Sequence, residues 1–420
     1  MRILYLYLLA APILLAACKS GQKENKENAP VEKTVKTFHE IDLSGDFTES
    51  NCNNLLLSDI VEDVEYVQLE TTDDCLIGEK SFYTLTDKDI YILNKKYTKE
   101  KLFRFDRTTG KFISTIGQIG QGPKDMLSPS AIYAENDYVY ALSNVTNKVY
   151  TYHNNGEHVR TTSIDRGQGE RITVIQNKYI IRHQGLDYIT GENNYKDGDP
   201  NQYIAAAVYD MEGNKLFCKC DTLIDKGQLT LDWDPRRWYY NGQLNFYNEV
   251  DATVYVVNEK VITPRYKFNL GENRWIVRGK LTKEYLKYIK FHSFKETANY
   301  LYIYWNQRQK AYFARFNKET GKLDVNEQNP INGPLWHIYA SGPKNDIDGC
   351  EIYFEPGDNY DAKAGNILFT ITPDNIDAAR EALKKAENVK FPEKRQKLLK
   401  MMDDRKEDDN PILVIYKLKK

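Results

Sequence analysis

Three groups of residues in this 420-residue chain have types and spacings that could do chemistry. The sharpest acidic cluster is Asn345-Asp346-Ile347-Asp348-Gly349. Alternate residues of an extended strand share a face, so Asp346 and Asp348 could present two carboxylates together, with Asn345 adding an amide oxygen. Hard divalent cations such as Ca²⁺ take oxygen sets of this kind. The run is shorter than a full DxDxDG cation loop, and a turn closed by Asx hydrogen bonds explains the same residues.

The second group is aromatic and basic. Trp233, Arg236, Arg237 and Trp238 fall within one short stretch, and Trp305 stands three positions before Arg308. Guanidinium groups beside aromatic faces suit carbohydrate, carboxylate or peptide ligands. Ordinary packing between sheets uses the same residue types.

The third group is glycine-rich. Gly117-Gln118-Ile119-Gly120-Gln121-Gly122 has the outline of a phosphate loop. Such a loop needs a helix behind it to aim amides at phosphate, whereas here Pro123 and then a strand follow. Gly167-Gln168-Gly169 and Gly227-Gln228 repeat the motif. The expectation is tight turns, with Gln121, Gln168 and Gln228 lining the rim of a channel. The 6 histidines are scattered without an HxxxH pair, and no GxSxG elbow occurs. Nothing singles out a nucleophile or a general acid.

At the N-terminus, Arg2 precedes the apolar run 3–17, which is too short to span a bilayer as a helix. Leu15-Ala16-Ala17-Cys18 has the form of a bacterial lipobox. The expectation is a signal peptide over 1–17, cleavage before Cys18, and lipid on that cysteine. Residues 18–36 are polar and charged, and read as a flexible tether. The remaining cysteines are 52, 75, 218, 220 and 350. An oxidising compartment would permit a Cys52–Cys75 disulfide. Cys218 and Cys220 flank Lys219 in a strand-like run and should share a face.

The elements that must position these groups are strands. With 31 Tyr and a formal net charge of −2, the composition favours sheet and gives no electrostatic reason to expect nucleic acid. A strand–glycine turn–strand unit recurs around Gly110, Gly156, Gly213 and Gly321. Residues 254–268 supply a glycine-free member of the same series. The Gly-Gln loops repeat in phase with it. Two interleaved all-β repeats at this period predict a six-bladed β-propeller, with seven blades as the alternative. The propeller is expected over 38–420. Its blades fall near 75–117, 130–164, 171–220, 229–270, 285–328 and 335–420, with strand 64–69 closing the ring against 412–418. A helical insertion is expected in the last blade, about 373–404, capped by Thr372 and restarted at Pro392.

The chain resembles the six-bladed, NHL-like β-propeller lipoproteins of Gram-negative bacteria. The resemblance rests on IGQIGQGP at 116–123, DATVYVVNEKVITPRYKFNLG at 251–271, NDIDG at 345–349 and NPILVIYKLK at 410–419. It implies a fold and an envelope setting, not a reaction. The resulting expectation is a lipid-anchored propeller in the cell envelope, at the outer membrane on its periplasmic or surface face. It would bind a small molecule, glycan, peptide or envelope protein without catalysis. The alternative is a metal-dependent, lactonase-like hydrolase or lyase using channel carboxylates. No cofactor is expected beyond a candidate divalent cation at Asn345, Asp346 and Asp348.

Overall fold

The computed structural model describes residues 38–47, 52, 54–78, 81–95, 100–143, 145–165, 170–184, 195–196, 199–222, 228–229, 236–258, 260–274, 277–278, 287–328, 330–331, 339–340, 343–350, 360–361, 366–406 and 408–420. Its strands form six blades. The first five run Ser81–Thr115, Ala131–Ser163, Glu170–Thr222, Arg237–Asn269 and Lys290–Gln328. The sixth combines Asn366–Ile371, Ile412–Leu418 and Val61–Gln68. The count is six, not the alternative seven.

Burial explains why the strands were legible. Asp89–Asn94 is buried at every position, and Tyr300–Gln307 at every position but its first. A strand packed on both faces reads as a nearly continuous apolar run. Outer strands such as Phe112–Thr115 alternate half-buried and exposed residues instead.

The recurrent turn glycines mark where neighbouring blades touch. Gly110, Gly156 and Gly213 all have positive φ. A Cβ on Gly110 would lie 1.9 Å from the Gln68 carbonyl oxygen, and one on Gly213 would lie 2.3 Å from that of Ser163. Each hairpin therefore presses its turn against the outer strand of the preceding blade. Gly321, on blade 5, meets nothing within 4 Å.

Both chain ends secure the ring. Val61–Gln68 pairs antiparallel with Ile412–Leu418, from Val61 opposite Leu418 to Gln68 opposite Ile412. Ile412–Leu418 also pairs with Asn366–Ile371, so the C-terminal strand lies inside its blade. Upstream, His39–Asp42 adds a parallel fifth strand to blade 4, beside Tyr266–Asn269. Phe47 then packs edge-on against Trp305, and Asn326 holds the Leu55 backbone through its side-chain amide. Residues 39–68 thus visit blades 4, 5 and 6 in turn.

The insertion holds two helices, Ile376–Lys385 and Pro392–Asp403. Pro392 opens the second, as expected. The first begins four residues after Thr372, whose own N–H donates to Asn375 Oδ1, so Thr372-Pro373-Asp374 enters a turn before the helix. Ala379, Leu383, Leu398 and Met402 bury the helical stripe in an apolar cluster shared with Tyr302, Tyr304 and Phe313 of blade 5. Among the described residues no helix is long and apolar enough to cross a membrane.

The expected Cys52–Cys75 disulfide is not formed. Cys52 packs against the core of blades 4 and 5, while Cys75 lies in the cluster between blades 6 and 1. Its thiol is engaged with Thr72 Oγ1 and the Glu70 carbonyl.

Candidate functional site

The aromatic and basic residues are mostly used inside the protein. Trp238 lies in the first strand of blade 4 and is 3 % exposed. It stacks on Phe294, and its indole N–H donates to Glu296 Oε2 at 2.9 Å. Glu296 is itself fully buried, and its Oε1 accepts from Arg265, Tyr266 and Lys318 at 2.6, 2.7 and 3.0 Å. This network bolts blade 4 to blade 5. Trp305 is fully buried and stacked on Tyr312. Arg237 is buried, and Arg236 donates to the Phe291 carbonyl. Arg308 sits at positive φ in an exposed hairpin turn and pairs with Asp46 at 2.6 Å. These residues are spread over strand, core and turn and do not converge on one surface. Cys18, Gln168, Trp233 and the Gln228 side chain lie outside the described residues.

The first Gly-Gln loop closes on itself. Gly120 N–H donates to the Met126 carbonyl, and Gly122 N–H donates to Asp125 Oδ2. A Cβ on Gly117 would strike the Tyr152 ring at 2.6 Å. These glycines admit a tyrosine and a carboxylate of the protein itself, and Gln121 remains exposed at the tip.

The acidic cluster divides. Asp346 accepts from the Ser58 amide at 2.9 Å and the Ser58 hydroxyl at 2.6 Å, and faces Lys390. Asp348 is fully buried and accepts from Tyr66, Tyr416, Asn345 and the Cys350 amide. Burial raises the Asp348 carboxyl above its ordinary value, against the pull of those donors. For Asp346, burial also acts upward, but Ser58 and Lys390 outweigh it and hold the group low. The two carboxylates therefore serve different partners, and the motif fastens the helical insertion and the Leu57–Ile60 turn to the last blade. Among the described residues no three His, Cys, Asp or Glu side chains gather as a metal set.

A concave surface appears instead at the seam where the ring closes. Val64–Val67 of the closing strand floors a groove of about 680 Å³. One wall comes from the second helix of the insertion (Glu393, Lys394, Lys397) and the other from blade 1 turns (Asp87, Arg107, Thr108), with Lys417 beside them. Asp63 and Glu65 alternate with apolar Val64 and Tyr66, so the strand turns its carboxylates outward. Lys417 binds Glu65 at 2.5 Å and Asp63 at 3.6 Å. Lys394 binds Asp63 and caps the outward Val64 carbonyl at 2.8 Å. Arg107 reaches Glu65 and the Thr86 carbonyl. Burial acts to raise both carboxyls, but these cations outweigh it and keep them below their ordinary values. Lys397 is exposed and forms no ion pair among the described residues.

Sequence reasoning did not assemble this groove, because Glu65, Arg107, Lys394 and Lys417 are far apart in the chain. The one readable signal was the outward Asp63 and Glu65 of the closing strand.

A family model described as a domain of unknown function, DUF4934, matches residues 38–417. No curated protein matches the chain. A candidate exported protein from Bacteroides fragilis has a similar solved structure, at 15 % identity and a TM-score of 0.57, covering 91 % of this chain and 100 % of that one. A member of the DUF4221 family from Bacteroides vulgatus aligns at 11 % identity and a TM-score of 0.41, over 64 % of this chain and 85 % of that one.

Proposed function

This chain belongs to the DUF4934 family, and on that footing we propose that it is a lipid-anchored propeller of the cell envelope that binds an acidic partner without transforming it. The groove at the closing seam carries the reading. Its inner carboxylates Asp63 and Glu65 are each paired with two cations, Lys417 being shared, and Asp87 and Glu393 stand on the outer walls, so an incoming anion is offered the exposed Lys397 together with the outer faces of Lys394, Lys417 and Arg107. A partner carrying carboxylate groups, whether an acidic glycan or an acidic peptide segment, fits that lining. Anchoring rests on the Leu15-Ala16-Ala17-Cys18 motif, and the likeness to an exported protein agrees with an envelope setting.

A thermal-shift screen of the tether-free protein with oligogalacturonate, oligoglutamate, neutral glycans and divalent metals tests it. A ligand held at a hundred times its Kd stabilises a protein by roughly 2.7 kcal/mol. The acidic probes should raise the melting temperature, less so at high salt. Lys394→Glu with Lys397→Glu should remove the effect. A shift with neutral glycans or metals alone would overturn the proposal. Cys18→Ala should release the protein from membranes, and membrane-bound, palmitate-labelled variant protein would refute the anchor.

A further inference from the structure

The outermost strand of blade 3, Lys215–Thr222, carries Cys218 and Cys220. Side chains two positions apart on a strand leave from the same face, and the two Sγ atoms are 3.5 Å apart. Neither cysteine is in a disulfide, and both are half-buried, within reach of a small solute. Among the described residues the strand pairs on one side only, with Asp199–Asp210. That ladder is irregular between Ile204 and Ala206, opposite Lys219 and Cys220. The extra residue, Ala205, stands in the facing strand, which bends and twists there, so Lys219 and Cys220 lie against an irregular partner.

We propose that Cys218 and Cys220 are a redox modification site, a dithiol that closes to an intrastrand disulfide and reopens. One thiolate attacks an external disulfide RS–SR, forming a mixed disulfide and releasing one RSH after protonation. The second thiolate attacks the bound protein sulfur, forms the Cys218–Cys220 bond and expels the second RS⁻, which is protonated in turn. Two electrons pass to RS–SR, and the two protein thiol protons end on the two RSH. The reaction suits the oxidising envelope and does not depend on the groove.

The expected product is a switch rather than a permanent staple. Residues two apart on a strand are separated by about 6.6 Å between Cα atoms, near the top of the roughly 4.4–6.8 Å span that a disulfide bridges. Bonds at the limit of that span are the more easily reduced ones.

Peptide mapping provides the test, because Lys219 lies between the two cysteines and trypsin cuts after lysine. The whole protein is equilibrated in glutathione buffers of varied ratio, alkylated and digested without reductant. Oxidising buffer should remove two alkylation sites and yield fragments 216–219 and 220–226 joined, two hydrogen masses below their sum. Excess reduced glutathione should separate them. Cys218→Ser and Cys220→Ser should each leave one glutathione adduct on the remaining thiol. Two alkylated fragments at every ratio, or separate adducts on both cysteines of the parent protein, would overturn the proposal.

Discussion

Replacing Gly110 or Gly321 with alanine separates two costs that one turn glycine can conceal. The two residues have nearly the same backbone, φ +71° and +72°. An L side chain in the left-handed region costs about 1–2 kcal/mol, and both variants carry that cost. Their surroundings differ. A Cβ at 321 meets nothing within 4 Å, whereas one at 110 falls 1.9 Å from the Gln68 carbonyl oxygen and 3.2 Å from Val67 Cγ1. The hairpin must then back away from the closing strand. Relief of such a collision costs about 1–3 kcal/mol. The Glu70 N–H to Gly110 carbonyl bond, 2.9 Å long, would be lost with it, at about 1 kcal/mol. Gly321→Ala should therefore cost about 1–2 kcal/mol and Gly110→Ala about 3–6 kcal/mol. Urea unfolding followed by tryptophan fluorescence measures both. Equal losses would show that the glycines serve turn geometry alone and that inter-blade contact is irrelevant to the repeat.

Glu296→Gln should cost about 3–5 kcal/mol, because Arg265 and Lys318 lose their buried counter-ion; a loss below about 1 kcal/mol in urea unfolding would mean that the network contributes little. Asp348→Asn tests a pH effect of definite sign. Burial raises the folded-state carboxyl above 3.8, so its stabilising contribution is complete below that value and is lost as pH rises through the raised one. The difference between parent and variant stability should thus fall with rising pH across that window, and parallel stability curves would contradict the assignment. The acidic-probe screen completes the set, with loss of the thermal shift expected in Lys394→Glu, Lys397→Glu.

The fold was legible because its repeats have local causes. Three of the four turn glycines, Gly110, Gly156 and Gly213, lie where hairpins meet the neighbouring blade, and doubly buried strands are continuous apolar runs, so six blades and the ring closure could be placed from sequence. His39–Asp42 was not readable as a strand of blade 4, since a four-residue parallel pairing leaves no periodicity of its own. The site was harder. Trp238 and Trp305 looked like ligand platforms because sequence reports an aromatic side chain but not which sheet face buries it. Asp346 and Asp348 looked paired because the alternation argument assumes a regular strand. Here the segment turns, with Gly349 at φ +83°, and sends the two carboxylates to different partners.

The path of residues 39–68 has a consequence for how the protein is made. These residues leave the ribosome early, yet their partners lie at 262–269, near 305–326 and at 412–418. At roughly 5–20 residues per second, the closing strand waits on the order of tens of seconds before its partner exists. During that interval Val61, Val64 and Val67 have no sheet to enter, and a chain released early has none at all. An incomplete product therefore displays a β-strand edge that the finished ring hides. That edge exposes the incomplete product to proteolysis.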